Sequence, residues 1–167
     1  MVKFKFLLIA VLLSTMNIVA QDFTVPTNVK LDKAENYALY EQDVLNAINW
    51  LTETSITEQQ AKRKDVNSFV LQWLSGCPYV HIEIKPEIVT FMGTTPDFLI
   101  MFMSGWAKYS IETKDYDNKI AGSLAGIEMV IAFYEKNKVS LPKDKNVEKY
   151  IKMKDKGTLT KYVTKNA

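Results

Sequence analysis

The sequence predicts an all-α protein, an antiparallel bundle of about five helices in stacked hairpins, and three observations carry that expectation. Apolar residues recur at Ile120, Leu124, Ile127, Ile131 and Tyr134, the spacing of one helix face. Gly122, Gly126, Met129 and Phe133 repeat that spacing on a second face, so this helix has neighbours on two sides and belongs inside the fold. Breakers such as Gly76-Cys77-Pro78 and Leu141-Pro142 cut the rest of the chain into segments of helical length joined by short connections.

Residues 1–20 carry the pattern of a cleaved secretory signal peptide. Lys3 and Lys5 make a charged start, Phe6 to Leu13 an apolar run, and Ile18-Val19-Ala20 a small-residue end before Gln21. The apolar run falls short of the about 20 residues a membrane span needs. No cysteine lies at the cleavage point, so no lipid attachment is expected there. Residues 21–31, with Pro26, read as a flexible lead-in, and residues 32–167 as a single helical domain. A secreted or periplasmic location follows from the signal pattern.

Asp32 and Glu35 have capping-box spacing, and Tyr37, Tyr40, Val44, Ile48 and Leu51 then share one face, which predicts a first helix over 33–53. Thr57 and Gln60 repeat the capping spacing ahead of Val66, Phe69, Val70, Trp73 and Leu74, a second helix over 58–75. In 79–85, Val80, Ile82 and Ile84 alternate with polar residues, the period of a half-buried strand. The Thr- and Val-rich stretch 158–164 is the other segment of that kind. The two either pair as a short β ribbon or remain extended linkers. Glu87 to Met92 allows a single helical turn. Thr95-Pro96-Asp97 supplies an N-cap, a proline at the first helical position and an acid in the first turn, opening a helix over 96–113. Asp117 is the expected cap of the helix over 119–136. Asp144 or Asn146 starts a last helix carrying Val147, Tyr150 and Ile151, closed by Gly157.

Charge divides the chain. Without residues 1–20, basic and acidic residues balance. From Lys136 onward there are ten lysines against Asp144, Glu148 and Asp155, a net charge of +7, and residues 22–135 carry −7. A lysine-rich end of this kind, 136–165, is a solvated face or a docking surface for an acidic partner protein, with weak contact to anionic surfaces as a third reading. Nucleic acid is not expected, because Arg63 is the sole arginine and phosphate recognition favours arginine forks. Enrichment in Lys, Asn and Ile suggests a bacterial source. The single Cys77 leaves no internal disulfide, so the core alone holds the fold.

Candidate chemistry is sparse. If 77–83 is extended, Cys77, Tyr79, His81 and Glu83 share a face, and a hydrolase or metal enzyme would use Cys77, His81 and Glu83. Four residues of strand separate Cys77 from His81 by about 13 Å, well beyond hydrogen-bond reach. A metal needs three or four ligands, and no other His or Cys exists. No metal or cofactor is expected. Gly122 and Gly126 let another helix approach closely, either by packing against 96–113 near Gly105 or by forming a groove for a ligand or partner helix. Glu128 sits among Ala121, Ala125 and Ala132, a semi-exposed stripe. Trp50, Trp73, Trp106, Tyr109 and Tyr116 either fill the core or line a pocket for an apolar or aromatic ligand, with Trp50 the one expected at the core's edge.

The segment Gly122-Ser-Leu-Ala-Gly126-Ile-Glu128, followed by Pro142 and a short helix, resembles the glycine-spaced helix of small periplasmic immunity proteins. The likeness spans about a third of the mature chain. Those proteins pair cysteines, whereas this chain has only Cys77. The resemblance implies a helical protein that holds another protein inactive. The expected function is a non-enzymatic, secreted interaction module that binds a protein partner.

Overall fold

A computed structural model describes residues 23–167, and the expected signal peptide lies outside the described residues. Seven helices follow in order: α1 (Ala34–Leu39), α2 (Glu41–Glu53), α3 (Gln60–Gly76), α4 (Pro96–Thr113), α5 (Lys119–Asn137), α6 (Lys145–Asp155) and α7 (Leu159–Asn166). No strand occurs among the described residues, so the expected ribbon of 79–85 with 158–164 is not formed.

Both halves of that ribbon have a physical reason to do otherwise. Leu159 and Val163 stand four residues apart and are both buried, with Tyr162 half-buried beside them. Burial at helical spacing outweighs the strand preference of Thr, Tyr and Val. Residues 79–85 lie over the helices without a ladder partner; Val80 is buried, whereas Ile84 is exposed.

The expected first helix is interrupted at Tyr40, which sits at φ −101° and ψ 2° between α1 and α2. The Trp73 indole N–H donates to the Tyr37 carbonyl at 3.0 Å, and the Tyr40 N–H closes on the same oxygen at 3.2 Å. The α ladder is diverted there, while the apolar spacing runs on through Tyr37, Tyr40 and Val44, so periodicity alone does not reveal the break.

Caps differ in detail from expectation. Thr95 and Pro96 open α4 as expected, with Thr95 extended. Asn118 caps α5 instead of Asp117, its side chain accepting from the Ala121 N–H at 3.1 Å. Neither expected capping box closes: Asp32 accepts from the Asn36 side chain at 2.6 Å, and α3 starts from Gln59 in the left-handed region. Asp144 caps α6 through the Asn146 and Val147 N–H groups at 2.8 and 2.9 Å. Gly157, at φ 65°, ends α6 with Thr158 N–H to Met153 O and Gly157 N–H to Lys154 O, a Schellman turn that sends the chain into α7.

The centre is the α4–α5 pair. Phe98, Phe102 and Trp106 of α4 are buried against Phe133, Gly126 and Gly122 of α5, while Ile127, Val130 and Ile131 of α5 are buried as well. Phe91 joins from the segment between α3 and α4, edge-on to Phe98 and Tyr150. The remaining helices close around this pair. Arg63 of α3 is itself buried. It donates to the carbonyls of Leu51, Thr54 and Ser55 at 2.5–3.3 Å, so it satisfies the open end of α2. Burial lowers its pKa, opposed by the charge of Asp97.

Candidate functional site

All ten lysines from Lys136 to Lys165 are exposed. The three acids of the same stretch are not equally free. Asp144 is 2 % exposed, caps α6 and accepts from the Thr94 hydroxyl. Glu148 is half-buried, ion-paired with Lys138 at 3.2 Å and bonded by the Tyr134 hydroxyl at 3.0 Å; the Lys138 bond above all holds its carboxyl below the usual range. Only Asp155 remains exposed. The fold therefore spends two of three local acids internally and leaves the positive charge outside.

Helix geometry orders that charge. In α6 the buried residues are Val147 and Tyr150, and Lys145, Lys149, Lys152 and Lys156 follow one line on the opposite side. In α7 the buried residues are Leu159 and Val163, with Lys161 and Lys165 opposite. Lys149 rests over the Tyr162 ring at 5.4 Å and stays exposed. The outer surface of the α6–α7 pair is thus a lysine face.

Beside it runs a cleft of about 390 Å³. Its floor is Ala121, Leu124 and Ala125 of α5, one wall is Tyr109 of α4, and Lys154, Gly157, Leu159 and Thr160 form the other. A second depression of about 300 Å³, with Gly105, Lys108, Glu112 and Met129, shares Tyr109, Ala125 and Glu128 with the first. Two residues expected at a site, Tyr109 and Glu128, therefore border one surface, Tyr109 half-buried and Glu128 exposed. The Tyr109 hydroxyl donates to Asp115 at 2.7 Å, which raises its pKa and lowers that of Asp115. The α6–α7 contribution to this cleft was missed in the sequence because α7 was read as extended; Leu159, Tyr162 and Val163 at helical spacing were the available signal.

Gly122 and Gly126 do not open onto that surface. Both are buried, Gly122 beneath the Trp106 indole and Gly126 beneath Phe102. Trp106, 2 % exposed, closes the α4–α5 interface. Trp50, expected at the core's edge, lines a depression of about 380 Å³ with Phe23, Asp43, Asn46 and Glu53. It is 3 % exposed, held between the helices with Arg63 5.8 Å from its ring and Lys62 at 5.0 Å. The five aromatics do not converge: Trp73 and Tyr116 contact Tyr79, while Trp50, Trp106 and Tyr109 lie elsewhere.

The Cys77 face is also dispersed. Cys77 is buried, and burial pushes its thiol up, away from the thiolate a nucleophile needs. Tyr79 donates to Glu41 at 3.0 Å, and Lys114 holds the other Glu41 oxygen at 2.5 Å. Burial and that bond raise the Tyr79 pKa. His81 is exposed. Glu83 pairs with Lys119 and, at 3.6 Å, with Lys85, and the Lys119 bond holds its carboxyl below the usual range. Among the described residues no group of three or more His, Cys, Asp and Glu side chains is placed to hold a metal ion. No helix among them is long and apolar enough to cross a membrane.

Comparison with protein-family models, with curated proteins and with solved structures finds no match to the chain. The likeness of the Gly122–Glu128 segment to immunity proteins therefore stands on those residues alone.

Proposed function

We propose that this protein is a secreted or periplasmic, non-enzymatic interaction module that docks an acidic protein partner on the lysine face of α6 and α7. One observation carries the reading: ten exposed lysines stand in a stretch whose acids are largely consumed by capping and internal pairing. Exposed charge of one sign raises encounter rates with an opposite partner and suppresses like-charged ones. An inhibitor or immunity-like role is the form of module that the Gly122–Glu128 resemblance suggests. An enzyme built on Cys77, His81 and Glu83 is disfavoured by the buried thiol and the exposed imidazole. A ligand groove at Gly122 and Gly126 is disfavoured by their closure under Trp106 and Phe102, which leaves only the depression of about 300 Å³ at Tyr109 and Glu128 between α4 and α5.

The test is capture from the host envelope with residues 21–167, followed by mass spectrometry. The reading expects one stoichiometric protein, lost when the lysines of 136–165 are reversed to Glu. A clean monomer with no partner opposes it.

A further inference from the structure

We propose that the line Lys145, Lys149, Lys152 and Lys156 is the recognition edge of the docking face, and that the partner element it fits is an acidic α-helix with carboxylates at the same spacing. The inference rests on the reading above that the lysine face binds a protein.

The four lysines stand at i, i+4, i+7 and i+11, directly opposite Val147 and Tyr150. At 1.5 Å per residue the line is about 16 Å long. Neighbours along it are lysine beside lysine, an arrangement that destabilises a helix by itself. An ordinary solvated face would interleave acids and gain from each pair. Of the nearby acids, Asp144 is committed to the cap and Glu148 to Lys138 and Tyr134, and the exposed Asp155 beside Lys156 forms no ion pair among the described residues. Lys145, Lys152 and Lys156 form no ion pair among the described residues.

A second helix laid antiparallel, with Asp or Glu repeated at the same 4-3-4 spacing, offers one carboxylate to each ammonium without unwinding either chain. An extended acidic strand advances about 3.3 Å per residue, so its alternate carboxylates fall about 3 Å out of step by the fourth lysine. Lysine rather than arginine suits this geometry, because each position supplies a compact point charge and not a fork that grips one carboxylate twice.

The probe is an Ala- and Gln-based helical peptide carrying four Glu at 4-3-4 spacing. It is compared with a peptide of the same composition whose Glu are moved off one helical line, and with vesicles containing anionic phospholipid. Binding to the mature protein is followed by fluorescence anisotropy in low salt. The ordered peptide is expected to bind about ten-fold tighter than the reordered one. The variant Lys145→Gln, Lys149→Gln, Lys152→Gln, Lys156→Gln, checked for retained helix by circular dichroism, should lose that preference. Lys161→Gln, Lys165→Gln should keep it. Equal binding of the two peptides, no binding of the ordered one, or binding to vesicles alone overturns the proposal. If the peptides bind equally while charge reversal still abolishes partner capture, the helix inference fails and the docking reading stands. If capture survives reversal, both fail.

Discussion

Gly105 of α4 lies directly on Gly126 of α5. A Cβ added to Gly105 would come 2.9 Å from the Gly126 Cα and 2.5 Å from the Ala125 carbonyl oxygen, distances that real atoms do not tolerate. The two helices are as close as backbones allow because both residues lack side chains, and the aromatic face of α4 closes over the contact.

Gly105→Ala should therefore destabilise the fold by about 1–3 kcal/mol, even though alanine favours a helix by about 1 kcal/mol over glycine. Gly93→Ala, which meets nothing within 4 Å, is the control and should be close to neutral. Urea denaturation followed by circular dichroism reads both. Equal midpoints would remove the close-packed account of α4 and α5.

Gly157 is constrained by conformation instead of space. At φ 65° it is in the left-handed region and nothing lies within 4 Å of an added Cβ. Gly157→Ala should cost about 1–2 kcal/mol through backbone strain alone, with the loss concentrated in α7 by hydrogen exchange. Uniform loss across α4 and α5 would contradict the local origin.

Arg63 is expected to behave as a structural residue. Arg63→Lys leaves one ammonium where a fork serves three carbonyls, and the unsatisfied groups should cost about 1–3 kcal/mol by thermal or urea unfolding. A variant as stable as the parent would mean that the end of α2 does not depend on it.

These positions show what was legible in the chain. Thr95-Pro96-Asp97 and the two stripes of α5 were readable because start signals and periodicity are local. The break at Tyr40 was not, since it depends on Trp73 reaching the Tyr37 carbonyl from 36 residues away. The helical state of 159–166 was misread because the Thr-rich composition was weighed above the Leu159–Val163 spacing, and the buried partners that decide between them are distant in sequence. The cover of Trp50 was hidden for the same reason: Lys62 and Arg63 arrive from α3. Tyr109 and Glu128, singled out in the sequence, border the cleft, whereas its α6–α7 wall was not legible there.

Acid should loosen the segment between α3 and α4 before the core. Glu83 is held below its ordinary value of 4.5 by Lys119, so its contribution is present above that value and is lost as pH falls through the lowered one. Glu83→Gln should flatten the pH dependence of stability below about pH 4.5 and leave neutral-pH stability nearly unchanged, because the pair is exposed. An unaltered acid limb in the variant would assign that limb to other carboxylates, with Glu148 beside Lys138 the next to test.

Cys77 should react with a thiol reagent only as fast as the protein opens, since its sulfur is buried and its thiol is raised. Labelling at the rate of an exposed cysteine in native buffer would reopen the case for a reactive face.

The most direct measurement sets two variants side by side in the same capture experiment: Lys145, Lys149, Lys152, Lys156, Lys161 and Lys165 all reversed to Glu, and Cys77, His81 and Glu83 all changed to Ala. Both are first checked for folding by circular dichroism. The account predicts that the lysine variant loses its partner and the alanine variant keeps it. Retention by the lysine variant with loss by the alanine variant would contradict the docking face and move the function to Cys77, His81 and Glu83.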